Sequence, residues 1–416
     1  MIPDHMHHPR EQSIMPWQIR LAVIDTHPIQ YRAPLFRKLA GRDDVELQCL
    51  FYYAGGAGGP VFDQGFGRRV QWDIPLLEGY SQAIIRAQAD AEFSVREQLS
   101  AAFSLWKKLE AFSPEVVLLI GIRPLLFYLF LWGRLARRNI PMIFMGESTL
   151  QSRSEPDRSW ANRAVWRFIL RNFSACLYIG RKNREFLETY GVPPSKLFFA
   201  PYAVENDRFQ QVHQETLPER SEALARLGLP SQSRGFLFCG KFTHKKRVRE
   251  ILRAYAASGL GQTHHLIMVG SGPLEAELKR MMAEHGLRLV RFLGFVNQSE
   301  MPKVYTLADF LILVSDPTET WGLVVNEAMA CGLPAIVAES CGSSADLVLP
   351  GCTGWLVPLD DQESLVATFR QAASLPEKEY RLMSLTAQGH IAQHTFDAMA
   401  AGIMAAARFV SSGQNS

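Results

Sequence analysis

The sequence predicts an α/β protein made of two parallel, doubly wound sheets in tandem. Three observations predict it. The chain has 416 residues, beyond the roughly 250–300 at which one hydrophobic core stops growing. Short apolar runs alternate with helical patterns through both halves, as in parallel sheets joined by crossover helices. A polar stretch from Asn206 to about Ser233, carrying Pro218 and Pro230, separates the two series as a linker with a short helix.

In the first series, Ile19 to Asp25 reads as a strand, Arg32 to Leu39 as a helix and Glu46 to Tyr52 as the next strand. The run Ala54 to Pro60, rich in glycine, opens an irregular connection through Tyr80, long enough to be functional or mobile. Val116 to Ile120, Met142 to Met145 and Ala175 to Ile179 continue the strands. The second series is Phe236 to Cys239, Leu266 to Val269, Arg291 to Leu293, Phe310 to Val314 and Ala335 to Val337. Two Rossmann-like domains with a ligand in the crevice between them fit this order. The expected divisions are a disordered polar tail over 1–15, a first domain over 16–205, a second over 206–395 and a last helical segment over 396–416.

Val116 to Ala136 has about the length of a bilayer span. Arg123 and Pro124 interrupt it, and split at Gly121 it becomes a buried strand followed by an apolar helix. The tail holds His5, His7 and His8 without an apolar leader, and Met15 is an alternative start. Apolar residues at 47% and charged ones at 20% describe an ordinary globular chain. A formal charge of +3 gives no argument for nucleic acid. The six cysteines are scattered; Cys331, Cys341 and Cys352 are too far apart for a CxxC-type metal site. Cys176 and Cys239 fall in apolar strands, so reduced thiols and a cytoplasmic setting are expected.

The chemistry concentrates between Glu319 and Glu327. The first carboxylate is expected in a loop and the second in the second turn of the helix that follows. Between them the backbone N–H groups of Gly322, Leu323 and Val324 form a helix N-terminus, which suits an anion. One carboxylate can then bond a sugar ring and the other a ribose, with a phosphate between them. Taken alone, two glutamates at this spacing read more simply as a solvated helix face. Further motifs, in order, carry the site reading. Gly240 to Lys246 follows a strand, so Lys241 stands at the carboxyl edge where such sheets bind ligands. Lys245 and Arg247 read equally as a solvated helix start. Gly270-Ser271-Gly272-Pro273 is not a dinucleotide fingerprint, since Glu275 takes the last glycine position; a tight turn approaching a nucleotide is the better reading.

These stretches, with Phe292 to Val296, resemble the family-4 retaining glycosyltransferases of the GT-B fold. The resemblance covers nearly all of the second half and is looser in the first; it implies that the last helix, near Thr395 to Phe409, crosses back onto the first domain. It implies that Lys241 and Lys246 hold the donor phosphates, Glu319 the sugar hydroxyls and Glu327 the ribose. Gly240, Gly270, Phe295, Val296, Gly322, Leu323 and Val324 would complete the donor site, and Trp321 could pack on the sugar. Many relatives carry arginine where Lys241 stands; lysine keeps the charge and loses the bidentate fork. No Asp-x-Asp triplet occurs, so no metal or other cofactor is expected. The lysines and the helix N-terminus would stabilise the departing diphosphate.

His27-Pro28-Ile29-Gln30-Tyr31-Arg32 stands where relatives have a glycine-rich loop, a departure that weakens the phosphate contact from this domain. His27, Gln30 and Tyr31 are assigned to the acceptor side, with a plain helix start the equal alternative. Glu147 follows a strand where several relatives place a catalytic histidine; an acid favoured by a helix dipole is the competing reading. The expected catalytic set is Glu319, Lys246, Lys241 and Glu147. Pro201 to Glu205 looks like the family's interdomain connection. Seven basic and no acidic residues lie over 158–184, among aromatics. They suggest an anionic membrane surface and a lipid-linked or saccharide acceptor, or simply the outer face of a packed helix. The expectation is a nucleotide-sugar-dependent transferase of glycan or envelope polysaccharide synthesis, cytoplasmic or peripheral at the inner membrane face. The alternatives are an acceptor-independent epimerase or hydrolase, and a silent sugar-nucleotide-binding partner.

Overall fold

The computed structural model describes residues 18–86, 95–121, 125–152 and 159–412. The tail over 1–15, Met15, Arg123, Pro124 and Arg158 lie outside the described residues. In chain order the strands are β1 Ile19–Asp25, β2 Val45–Tyr53, β3 Val61–Asp63, β4 Arg68–Val70, β5 Gln82–Arg86, β6 Val116–Ile120, β7 Met142–Met145, β8 Ala175–Tyr178 and β9 Leu197–Phe199. After the polar stretch follow β10 Gly235–Cys239, β11 His265–Val269, β12 Val290–Gly294, β13 Phe310–Leu313, β14 Ala335–Ala338 and β15 Gly354–Val357.

Two parallel sheets result, ordered β5-β2-β1-β6-β7-β8-β9 and β12-β11-β10-β13-β14-β15. Both central strands, β1 and β10, are buried on two sides and read as near-continuous apolar runs. Alternation along β1 shows how the layers form. Leu21 and Val23 face a core shared with the helix Ala33–Ala40, whereas Ala22 and Ile24 face a second core under the helices Val95–Phe112 and Leu125–Arg137. The strand and helix within 116–136 are therefore core elements. Among the described residues, no helix is long and apolar enough to cross a membrane.

Two regions differ from expectation. The connection 54–80 is not irregular throughout: β3 and β4 pair as an antiparallel hairpin, and β5 follows as the parallel edge of the first sheet. The stretch after Asn206 folds as two helices, Asn206–Thr216 and Arg220–Arg226. It is packed, because Phe209 is buried against Tyr305 and Asn206 donates to the carbonyls of Ile391 and His394. The helix Phe396–Ser412 lies on β8, β9 and the helix Ala33–Ala40 of the first domain. Its Gly402 sets the approach, since a Cβ there would stand 1.9 Å from the Phe199 carbonyl oxygen.

Candidate active site

The carboxyl ends of β10 and β11 meet at two glycines with positive φ. Gly240 has φ +155° and Gly270 φ +130°, and a Cβ on Gly270 would lie 1.9 Å from the Gly240 carbonyl oxygen. This close backbone approach opens a cavity of about 230 Å³ between the two domains. Gly240, Lys246, Gly270, Phe295, Val296, Glu319, Gly322, Leu323, Val324 and Glu327 line it from the second domain, and Gln30 and Tyr31 from the first.

Lys246 ends a short 3₁₀ turn, His244–Lys246, and Arg247 follows at φ +51° to start the helix Val248–Ser258. The turn is tied to the loop before Glu319: Lys245 Nζ donates to the Thr318 carbonyl at 2.8 Å, and the Asp316 N–H to the Lys245 carbonyl at 2.8 Å. Lys245 is thus a structural tether. Lys246 Nζ donates to the Glu319 carboxylate, both side chains largely withdrawn from water. Burial works against the charge on Glu319, but Lys246, helped by Lys245, outweighs it and holds the carboxyl below its ordinary range. Ionised, Glu319 is an acceptor only, suited to hydroxyl donors.

Gly322 has φ +97°, and a Cβ would strike Leu313 Cδ2 at 2.4 Å, so glycine is required where the loop enters the helix. That helix spans Val324–Ala330, which puts Glu327 in its first turn and not its second. Glu327 is buried and accepts from Tyr305 Oη at 2.6 Å and Gln298 Nε2 at 3.2 Å. Burial raises its carboxyl above the usual value, against the pull of those two donors.

Four residues given site roles from the sequence stand elsewhere. Lys241 does not line the cavity: its ammonium is paired with Asp63 at 2.8 Å and sits over the Phe66 ring. His27 stacks on Tyr53 with centroids 4.9 Å apart, and burial lowers its pKa to about 4. Parallel pairing of β1 with β2 carries the chain there, since Asp25 lies opposite Phe51. Glu147 is also off the cavity, accepting from Tyr202 Oη and, at 3.0 Å, from Thr320 Oγ1. Trp321 is buried and does not face the cavity; its indole N–H donates to Asn326 Oδ1 at 2.9 Å, and Asn326 Nδ2 to the Tyr202 carbonyl at 3.0 Å. It is an interface packing residue, not a sugar platform.

Several site residues escaped sequence reasoning. Tyr305 and Gln298 hold Glu327; Phe66 and Trp72 close the cavity from the first domain; Arg208 lines it while donating to Glu205 at 3.0 Å and to the Gln298 carbonyl at 3.1 Å. Beside Tyr31, Arg32 pairs with Asp25 at 2.8 Å in a buried contact. No linear spacing connects these groups; topology brings them together.

Residues 219–387 match the family model described as glycosyl transferases group 1. A D-inositol 3-phosphate glycosyltransferase of Geodermatophilus obscurus is 32% identical over 240 residues, 54% of this chain and 50% of that protein. The 2-deoxystreptamine glucosyltransferase of Streptomyces kanamyceticus is 31% identical over 226 residues, 53% of this chain and 54% of that one. The chain spans about half the length of these curated relatives. Likeness to solved structures runs almost end to end. Anabaena HepE, solved with UDP and glucose, superposes with a TM-score of 0.69 at 15% identity over 93% of this chain and 98% of that one. The sucrose-phosphate synthase of Thermosynechococcus elongatus gives 0.70 at 19%, over 95% and 100%. The fold is therefore GT-B, and its second domain carries the group 1 glycosyl transferase pattern.

Proposed function

We propose that this protein transfers a sugar from a nucleoside diphosphate to an acceptor hydroxyl, with retention and without a metal. The observation that carries it is the Lys246–Glu319 pair facing one cavity together with Glu327. The Gly322 to Val324 backbone lies between the two carboxylates. Lys246 supplies fixed positive charge for the departing diphosphate, and in this withdrawn position it acts with little screening. Glu319 accepts from the sugar hydroxyls and Glu327 from the ribose. Gln30 and Tyr31 present the acceptor from the opposite wall. A structural neighbour is consistent with a nucleotide-sugar donor: HepE was solved with UDP-glucose as well as UDP. Retention rests on the family resemblance of these motifs.

The helix Trp160–Leu170 bears on the acceptor. Trp160 is 83% exposed and Phe168 43%, and they share the element with Arg163 and Arg167. Such a face fits peripheral contact with anionic lipid, and so a lipid-linked acceptor in glycan or envelope polysaccharide synthesis.

Calorimetric titration with nucleoside diphosphates and their sugars in EDTA tests the reading. Tight binding of one donor without metal is expected. If a folded sample binds none of the panel, the transferase reading is wrong.

A further inference from the structure

The hairpin β3–β4 belongs in sequence to the first domain but is fastened to the second. Ser271 Oγ donates to the Phe66 carbonyl at 2.8 Å, Lys241 pairs with Asp63, and just beyond, Asn297 Nδ2 donates to the Gln71 carbonyl at 2.7 Å. Phe66 and Trp72 bracket Phe295, with ring centroids 5.0 and 6.1 Å away, and Arg68 lies over the same ring. Glycines permit this approach on both sides: a Cβ on Gly65 would meet Lys241 Cδ at 2.5 Å, and one on Gly272 the Gly65 carbonyl oxygen at 2.9 Å. Among the described residues, β3 and β4 pair with each other and with no strand of either large sheet. The run from Gly55 to Gly59, with φ of +53° and +123° at its ends, links the hairpin to β2.

Resting on the donor reading above, we propose that the hairpin Val61–Val70 with Trp72 is the lid of the donor pocket. Phe66 and Trp72 are its base-stacking faces over Phe295, and Asp63 is a latch holding Lys241 until the diphosphate takes it. Three arguments support it. The cavity of about 230 Å³ is below the roughly 300–1,000 Å³ usual for ligand pockets, so a wall that swings outward would make room for a nucleotide sugar. The wall that pairs with neither large sheet is the hairpin, held by side-chain contacts to the second domain. Next, aromatic faces stack any base, and Asn297 and Gln298 beside them offer polar edges for reading it. Finally, Asp63 and Lys241 are both about a third exposed, and such a pair contributes little net stability. A diphosphate, with more charge and more acceptor oxygens, outcompetes one carboxylate for the ammonium.

The test titrates wild type, Trp72→Ala and Asp63→Asn with UDP, GDP, ADP, CDP and inorganic pyrophosphate by calorimetry. Wild type is expected to prefer one nucleoside diphosphate; if it binds none, both the donor reading and the lid fall. Trp72→Ala should weaken that nucleotide about ten-fold or more while leaving pyrophosphate unchanged. If it binds the nucleotide as tightly as wild type, the lid is overturned and the donor reading stands. Asp63→Asn should bind both pyrophosphate and the nucleotide several-fold more tightly, since Lys241 is released. Unchanged or weaker binding by a variant with wild-type circular dichroism overturns the latch.

Discussion

Lys246 and Glu319 are each other's partners, so the cation assigned to phosphate and the carboxylate assigned to sugar form one unit. Each fixes the rotamer of the other at the cavity edge. The pair is placed before any ligand arrives, which lowers the ordering cost of binding.

Replacing the lysine separates its two roles. Lys246→Ala leaves Glu319 charged and withdrawn from water without its bonded cation, with only Lys245 nearby, which should cost about 1–3 kcal/mol of stability. Lys246→Met combined with Glu319→Gln removes the buried charge and should recover most of that loss. Donor affinity should stay low in both variants. Urea unfolding reads the first effect and calorimetry the second. Wild-type donor affinity in Lys246→Ala would remove the phosphate assignment.

The two glutamates should titrate in opposite senses. Glu319 is held below its ordinary value of 4.5, so its contribution to stability is present above pH 4.5 and lost as pH falls through the folded value. Glu327 is raised above 4.5; protonated, it suits the fold, and that advantage is lost as pH rises through its folded value. Glu327→Gln should therefore be more stable than wild type at pH 7, with the gain shrinking toward pH 4.5. Glu319→Gln should be less stable at pH 7 and converge with wild type in acid. Urea midpoints between pH 4 and 8 check both signs.

Glu147 joins the domains. It accepts from Tyr202 at the interdomain connection and from Thr320, the neighbour of Glu319. Glu147→Ala should lower turnover at least about ten-fold, the scale of a misplaced reaction geometry, with donor affinity within about two-fold because the side chain is off the cavity. Tyr202→Phe should move turnover in the same direction by less. Unchanged turnover in Glu147→Ala would end any role for it in the reaction. Steady-state kinetics beside calorimetry separates the two quantities.

Local features of this site were legible in the sequence, and non-local ones were not. Glu319, Gly322 and Glu327 lie within nine residues of one loop and helix, so chain geometry alone sets their relation. Lys246 was found through the family resemblance of the Gly240 to Lys246 stretch, whose spacing after a strand matches the family's phosphate-binding segment. Tyr305 was not, since only the packing of β13 and its flanking helices brings it to Glu327. His27 and Trp321 were given to ligands because they stand at positions matched to the family's binding segments; neighbouring Tyr53 and Asn326 claimed them instead. The lid hairpin was hidden because its two three-residue strands, with no strong alternation, are stabilised by the other domain. Both sheets were readable because β1, β6, β10, β11 and β13 are apolar on two faces, which leaves little alternative to a buried parallel strand.

Gly270 gives the sharpest test of the site's framework. Its φ of +130° is strained for any L side chain, and a Cβ would sit 1.9 Å from the Gly240 carbonyl oxygen, which is backbone and cannot rotate away. Gly286 is the matched control: φ is +60°, and nothing lies within 4 Å of a Cβ there. Gly286→Ala should cost only the left-handed penalty, about 1–2 kcal/mol. Gly270→Ala adds a backbone collision between the two strand ends, and should lose more than about 3 kcal/mol. Any folded fraction should bind nucleotide poorly, because separating Gly240 from Gly270 moves Lys246 and Phe295 apart. Urea midpoints of the two variants compare the costs directly; equal shifts would mean that β10 and β11 do not close the cavity as described.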